Sequence, residues 1–358
     1  MEKFNVGILG GTGMVGQQYL RLLENHPWFN VTWFAASERS AGKTYYEAVK
    51  ERWHMPSDIP KAQREIIVKK ITDIEDCKKN CSFVFSALDS RIAKEFEEKY
   101  AEAGIPVVSN ASTHRHTKDV PMIIPEINPE HTDIIKIQQK NRNWEKGFIA
   151  VKPNCSLQSY MTPLFALHKK FGIEKVIITT MQAVSGAGHP GVSSFDIIDN
   201  VVPFIGGEEE KSELEPLKIF GKIEGNEIKP VEGIDISAHC NRVPVIDGHM
   251  ACVSVKFKEK PSKEEILETW RTFKSYPQEN NLPFAPENPI IYREEDNRPQ
   301  TRLDRDIDKG MAVTVGRLRE CNVFDYRFVG LSHNTIRGAA GGGILNAELL
   351  VKKGYINK

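Results

Sequence analysis

The chain has 358 residues, with 48 Lys plus Arg against 48 Asp plus Glu and a formal net charge of zero. That length exceeds one ordinary core and predicts two domains. The balanced charge and the lack of long basic runs exclude nucleic acid and membrane surfaces as partners, and no apolar span reaches membrane length.

The N-terminal MEKFNVGILGG enters a strand pattern directly, without a signal-peptide pattern, which predicts a cytoplasmic protein. FNVGILGGTGMVGQQYLRLLENHP predicts a strand over Phe4–Leu9, a glycine turn and an amphipathic helix to about Asn25. Glycines at such a turn let the backbone approach a pyrophosphate, whose charge then sits at the helix N-terminus. Gly10, Thr12, Gly13, Met14, Val15 and Gly16 are therefore expected at a dinucleotide.

The second strand, NVTWFAAS, ends in SERSAGK. Selectivity for NAD usually places an acid there, to hold the ribose 2′-hydroxyl. Ser37, Arg39 and Ser40 suit a 2′-phosphate better, so NADP is favoured, although Glu38 stands among them.

SFVFSALDS and IPVVSNAS read as further buried strands, alternating with helical segments such as RIAKEFEEKYAEAG. Small residues at their ends, Ser86 among them, leave room for a cofactor across the sheet edge. QQKNRNWEKG, residues 138–147, is polar and reads as a loop. Cys77, Cys81, Cys155, Cys240, Cys252 and Cys321 are scattered, as free thiols are, and DCKKNC lacks two further ligands for a metal site.

The character changes near residue 154. EKVIITTMQAVSG and HMACVSVKFKEK alternate as strands, which predicts an antiparallel sheet with helices on one face. The tail NTIRGAAGGGILNAELLVKKG reads as a small-residue helix that returns to the first domain.

Cys155, in VKPNCSLQSY, directly precedes a helical pattern whose dipole would stabilise a thiolate. Backbone amides at that helix start would hold an oxyanion. His249 follows a glycine turn at a strand start, with Arg242 seven positions upstream. A rigidly aimed imidazole suits acid/base work, and an arginine suits a carboxylate.

GGTGMVG, SNASTHR, PNCS, QAVSGAG, GGEEEK, RVPVIDGH and HNTIRGAAGGG occur in that order. Together they make the chain resemble aspartate-semialdehyde dehydrogenase over nearly its full length, in the branch of archaea and fungi. The resemblance implies an α/β protein: a Rossmann-type NADP-binding domain over residues 1–153, completed by a C-terminal helix over 334–358, and an α+β catalytic and dimerisation domain over 154–333.

It implies NADPH-dependent reduction of β-aspartyl phosphate to the semialdehyde, for lysine, methionine, threonine and isoleucine synthesis. Cys155 would accept the acyl group and His249 would be the general acid/base. Gln182 would orient substrate, Arg242 would bind its α-carboxylate and Glu208 its α-amino group. Arg115, Asn154 and Lys211 would hold phosphate; Ser185, Gly186 and Asn334 would meet the cofactor. Glu208 is preferred to Glu209 and Glu210 because it lies three before Lys211, on one helix side. Ser156 is followed by Leu157 and Gln158 where the family often has another small residue, a departure that could alter the cofactor contact. A homodimer or homotetramer is expected. Malonyl-CoA reductase shares the scaffold and is the alternative; it has no amino group to bind.

Overall fold

The computed structural model describes residues 2–358. The first strand, β1 (Phe4–Leu9), leads through the glycine turn into helix α1 (Met14–Leu23). Gly10 has φ +74°, and a Cβ there would lie 2.7 Å from the Ala87 carbonyl oxygen, so only glycine makes this turn. The other strands of this half are β2 (Phe29–Ala36), β3 (Lys69–Lys70), β4 (Phe83–Ser86), β5 (Val107–Ser109) and β6 (Ile149–Val151). Helix α2 (Ser90–Glu102) joins β4 to β5.

These strands form one parallel sheet in the order β3-β2-β1-β4-β5-β6. Connections leave β1 in opposite directions on its two sides, which opens a crevice beyond the strand ends between β1 and β4. The glycine turn and the N-terminus of α1 stand at that crevice. The expected dinucleotide-binding architecture is present.

One segment differs from the sequence reading. Residues 138–147 are not simply a loop, because helix α3 (Ile135–Arg142) covers their first half. Its buried face consists of Ile135 and Gln138, too little apolar surface to show a helical period. Gln138 instead clamps the sheet edge: its Oε1 accepts from Ile149 N at 2.7 Å, and its Nε2 donates to Ile149 O at 2.9 Å.

The second half begins with helix α4 (Met161–Phe171) and strand β7 (Ile173–Gln182). Helix α5 (Glu208–Ile219) and a small hairpin, β8 (Lys222–Glu224) and β9 (Glu227–Lys229), precede β10 (Asp235–Arg242) and β11 (His249–Phe257). Then come helix α6 (Lys263–Arg271), β12 (Ile290–Arg293), β13 (Val313–Glu320) and β14 (Tyr326–Ser332).

The sheet order is β10-β7-β11-β14-β13-β12. It is mixed, not antiparallel throughout: β10 runs parallel to β7, and β12 to β13. The first exception follows from α5, a crossover that returns the chain in the direction it left. Alternation is clear on β11, where Ala251, Val253 and Val255 are buried and Cys252 is exposed. The opposite face, with Ile177 of β7 at 40% exposure, stays open.

After β14 a π-turn, Ile336–Ala340, runs into helix α7 (Gly341–Lys352). Ile344, Leu345, Leu349 and Leu350 of α7 share a core with Val6, Ile8, Tyr19, Phe83 and Phe85 of the first half. Each such burial is worth about 1.5–3 kcal/mol gross. The tail therefore packs on the first sheet, as its small residues suggested. Gly343 permits this, since a Cβ there would fall 1.9 Å from the Tyr19 hydroxyl oxygen.

Candidate active site

Cys155 lies just past the end of β6, and His249 opens β11. The two meet with Sγ 3.3 Å from Nε2. The Ala183 amide donates to His249 Nδ1 at 3.0 Å. Nδ1 is thus an acceptor, and the neutral imidazole carries its hydrogen on Nε2, toward the sulfur. Burial first, then Arg242, His333 and Lys152, push the imidazole pKa down to about 3. His249 is neutral here, and toward Cys155 it is a donor.

The thiol differs from the sequence reading in two respects. Cys155 caps one 3₁₀ turn, Ser156–Ser159, with a break at Tyr160 before α4 begins. The aligned dipole behind it is therefore short. Burial raises the thiol pKa, and Glu208 adds to the rise; Lys152, Arg115 and Arg242 oppose it. The expected oxyanion amides are also largely engaged. Ser156 N donates to Asn154 Oδ1 at 2.8 Å and Asn154 N to Glu215 Oε2 at 2.7 Å. Among the described residues the backbone N–H of Cys155 has no such partner, and the Nε2 hydrogen of His249 is a second donor beside the sulfur.

Beneath the thiol a charged lattice joins α5 to the Cys155 loop. Glu208 Oε1 accepts from Asn154 Nδ2 and from Lys211 Nζ, both at 2.8 Å. Glu208 Oε2 accepts from Gln182 Nε2 at 3.2 Å. Arg242 ends β10 beside Gln182 and donates to the Ala183 carbonyl at 2.7 Å. Gly186 permits that packing, because a Cβ there would lie 2.8 Å from Arg242 Nη1 and 3.0 Å from His249 Cε1. Arg115 donates to Glu215 Oε1 and to the Asn110 carbonyl, each at 3.0 Å, while its buried Nε has no partner. An unpartnered guanidinium N–H suits an oxyanion such as phosphate.

A cleft of about 1140 Å³ opens over this lattice, lined by Met14, Val15, Arg115, Cys155, Ser185 and Asn334 among others. Asn154 and Gly186 also face it. Asn334 bridges its walls: Oδ1 accepts from Gly248 N at 2.7 Å and Nδ2 donates to Ser185 Oγ at 2.8 Å. The N-terminus of α1 has no side-chain cap, so Gly13 leaves first-turn amides free for a pyrophosphate. The turn residues fit a dinucleotide on that ground.

The cofactor residues beyond the turn separate into two groups. Ser37 and Arg39 are exposed at the end of β2, free to meet a 2′-phosphate. Ser40 is buried, and its hydroxyl accepts from Arg52 Nη2 at 2.7 Å. Ser86 is fully buried, with its hydroxyl on the Glu97 side. The Ser40 hydroxyl is thus engaged in the turn after β2, whereas the Ser86 hydroxyl is buried without a hydrogen-bond partner among the described residues. Leu157 and Gln158 are likewise buried, so the departure after Ser156 points into the core.

Sequence reasoning missed Glu215 and Lys152. Glu215 lies seven residues after Glu208, on the same face of α5, a spacing that was there to be read. Lys152 is a lysine ending an apolar strand run, FIAVK, and is 2% exposed.

Residues 5–135 match the family model for the semialdehyde dehydrogenase NAD-binding domain, and residues 164–337 the model for the semialdehyde dehydrogenase dimerisation domain. The chain is similar to the aspartate-semialdehyde dehydrogenase of Archaeoglobus fulgidus, at 47% identity covering 99% of this chain and 100% of that protein. It is also similar, at 43% identity over 98% of each chain, to a malonyl CoA reductase (NADP) of Metallosphaera sedula. Among solved structures, the aspartate-semialdehyde dehydrogenase of Candida albicans with NADP matches at TM-score 0.90 and 42% identity, covering 98% of this chain and 99% of that one.

Proposed function

The chain belongs to the semialdehyde dehydrogenase family, and on that premise we propose that it reduces β-aspartyl phosphate to aspartate β-semialdehyde and phosphate with NADPH. The observation that carries this reading is the 3.3 Å contact of Cys155 Sγ with His249 Nε2, set among Arg242, Glu208 and Arg115. A zwitterionic acyl phosphate needs a cation for its carboxylate, an anion for its ammonium and further positive charge for its phosphoryl group. Arg242, Glu208 and Arg115 supply these, with Lys211 and Asn154 beside Glu208.

Sγ attacks the acyl carbon. The C–S bond forms, the C–O bond to phosphate breaks, and the electron pair leaves with phosphate, giving a thioester on Cys155. Gln182, held by Glu208, fixes the substrate's orientation. NADPH, when bound at the glycine turn and Arg39, supplies the hydride that reduces the thioester carbon. The His249 Nε2 hydrogen faces the sulfur, close enough to serve an oxygen on the carbon bonded to it. It hydrogen-bonds that oxygen while the tetrahedral carbon forms; the C–S bond then breaks, the electron pair leaves with sulfur, and aldehyde and the Cys155 thiolate are released with the proton still on Nε2.

Phosphate release and the reverse reaction use the same groups. Arg115, which lines the cleft and whose Nε has no hydrogen-bond partner among the described residues, is the residue we assign to the phosphate oxygens. The open face of the second sheet, with Ile177 and Cys252 exposed, lies in the part that matches the dimerisation-domain model and supports a homodimer or homotetramer formed through it.

The test is turnover on aspartyl phosphate and on malonyl-CoA, each with NADPH. Aspartyl phosphate should be the better substrate by kcat/KM, and Cys155→Ser should bind NADPH yet lose nearly all turnover. Preference for malonyl-CoA would refute the substrate assignment. Near-normal turnover of Cys155→Ser would refute the mechanism.

A further inference from the structure

Helix α5 belongs to the second half, yet its charges reach into the first. One face carries Glu208, Lys211, Glu215 and Lys218, spaced three, four and three residues apart. Glu208 and Lys211 are part of the substrate site already described. Glu215 and Lys218 lie one and two turns beyond Lys211; Glu215 is fully buried and Lys218 nearly so.

The Glu215 carboxylate joins two parts of the site. Its Oε1 accepts from Arg115 Nη1 at 3.0 Å, and its Oε2 from the Asn154 backbone N–H at 2.7 Å. The first partner is the arginine assigned to phosphate. The second is the residue just before the nucleophile. Asn154 is thereby held twice by α5, since its Nδ2 donates to Glu208 Oε1 at 2.8 Å. One carboxylate sets the distance between an anion-binding guanidinium and the thiol loop.

Lys218 fixes the other end of the same arginine. Its Nζ donates to the carbonyls of Arg115 and Thr117, each at 2.7 Å, and of Val120 at 2.9 Å. All three ammonium hydrogens are used, so none is offered to a ligand. Arg115 Nη2 donates to the Asn110 carbonyl at 3.0 Å. The guanidinium lines the cleft tied at two of its nitrogens, with its position set before an oxyanion arrives. A buried ion pair adds little net stability, because desolvation offsets attraction. What this pair supplies is orientation.

We propose that Glu215 is a positioning residue for the step that passes the acyl group between phosphate and Cys155: through Arg115 Nη1 and the Asn154 amide it holds the phosphate-binding guanidinium and the nucleophile loop at one spacing, without touching substrate. The inference rests on the reading of Arg115 as the phosphate ligand. In the reverse direction that spacing lets a phosphate oxygen attack the thioester carbon; the C–O bond forms, the C–S bond breaks, and its electron pair goes to sulfur. The charge of Glu215 opposes phosphate while its hydrogen bond aims the arginine. Arg115 already counters that charge, and Lys152 and Lys218 stand within its field. Orientation is therefore what a neutral substitution removes.

The test is oxidation of the semialdehyde with NADP at varied phosphate. Glu215→Gln keeps the shape of the side chain. Its oxygen can serve the Asn154 N–H, which the backbone fixes, and its NH₂ then meets Arg115 Nη1, donor against donor. The KM for phosphate should rise at least tenfold, as expected for a lost charge-assisted hydrogen bond. The KM for the semialdehyde and the iodoacetamide alkylation rate of Cys155 should stay unchanged. Glu215→Asp keeps the charge but withdraws it by one methylene, cannot reach both partners, and should raise the same constant. Arg115→Ala should raise it too, and in that background Glu215→Gln should add nothing, because the pair acts as a unit.

A fall in the phosphate KM of Glu215→Gln overturns the proposal, since the carboxylate would then only offset the arginine's charge. Equal rises in the constants for phosphate and semialdehyde also overturn it, as does an undiminished effect in the Arg115→Ala background; both belong to a residue that merely holds the fold. If Glu215→Gln does not fold, Glu215→Asp decides, and failure of both assigns Glu215 to stability and overturns the proposal. An unchanged phosphate KM in Arg115→Ala removes the phosphate reading of that arginine and the proposal with it. A raised constant there, with none in Glu215→Gln, removes the positioning role alone.

Discussion

Replacing Glu208 by glutamine separates the two substrate readings in one variant. The wild-type carboxylate accepts three hydrogen bonds, from Asn154, Lys211 and Gln182. A glutamine oxygen placed toward Asn154 and Lys211 turns its amide NH₂ toward Gln182, and Gln182 restores that contact by flipping its own amide. Lys211, with 27% of its side chain exposed, can solvate its charge. The local lattice thus survives, and what is lost is the anion for the substrate ammonium. Losing a charged hydrogen-bond partner in a closed site costs about 1.5–3 kcal/mol, roughly ten- to a hundredfold in kcat/KM for aspartate semialdehyde. Glu208 also raises the thiol pKa, so its removal lowers it and Cys155 should alkylate faster at pH 7. Turnover and thiol reactivity should move in opposite directions. Steady-state kinetics with aspartate semialdehyde and with malonyl-CoA, beside an alkylation rate, complete the assay. An unchanged kcat/KM for the semialdehyde would falsify the assignment of Glu208 to the amino group. A malonyl-CoA enzyme would be unharmed by the change.

Arg39→Ala should weaken NADPH binding far more than NADH binding, because exposed Arg39, just after β2, is the residue proposed to pair with the 2′-phosphate; equal losses in the two dissociation constants would show that it does not read the phosphate. Glu97 concerns stability. Burial raises its carboxyl pKa to about 7, despite a hydrogen bond from Ser109 Oγ at 2.6 Å. A raised folded pKa in an acid means that stability is greatest while the group is protonated and falls as pH rises from the unfolded value toward 7. Glu97→Gln should remove up to about 3 kcal/mol of that fall, so thermal melts of the variant at pH 5 and pH 8 should differ less than those of the parent. An equal difference in both proteins would place the pH dependence elsewhere.

The glycine turn, the strand before it and the helix after it could be read directly, because a tight turn leaves a composition that little else produces. Cys155 and His249 could be paired only through the family resemblance, since 94 residues separate them. Helix α3 escaped notice because its buried face is half glutamine. The mixed second sheet escaped because strand direction depends on crossovers and leaves no mark on alternation. Ser40 was assigned to the cofactor by position, yet which way a serine hydroxyl turns is decided by neighbours such as Arg52. Lys152 shows the same limit. Its sequence context is that of a strand end, and only the fold brings Gly338 against Cys155.

The position of α7 also sets an order of events at the ribosome. The strands of the first sheet emerge early, but the helix that covers part of their apolar surface begins only at Gly341, far downstream of the end of β6 at Val151. Until then Val6, Phe83 and Phe85 lack partners that the finished core gives them. Gly338 is likewise not yet in place over Cys155. A nascent chain stalled before residue 336 consequently carries an uncapped sheet and an unassembled thiol site, and it falls to chaperones and proteases rather than working slowly. Emergence of the segment that carries Gly338 and α7 is the step that assembles the thiol site.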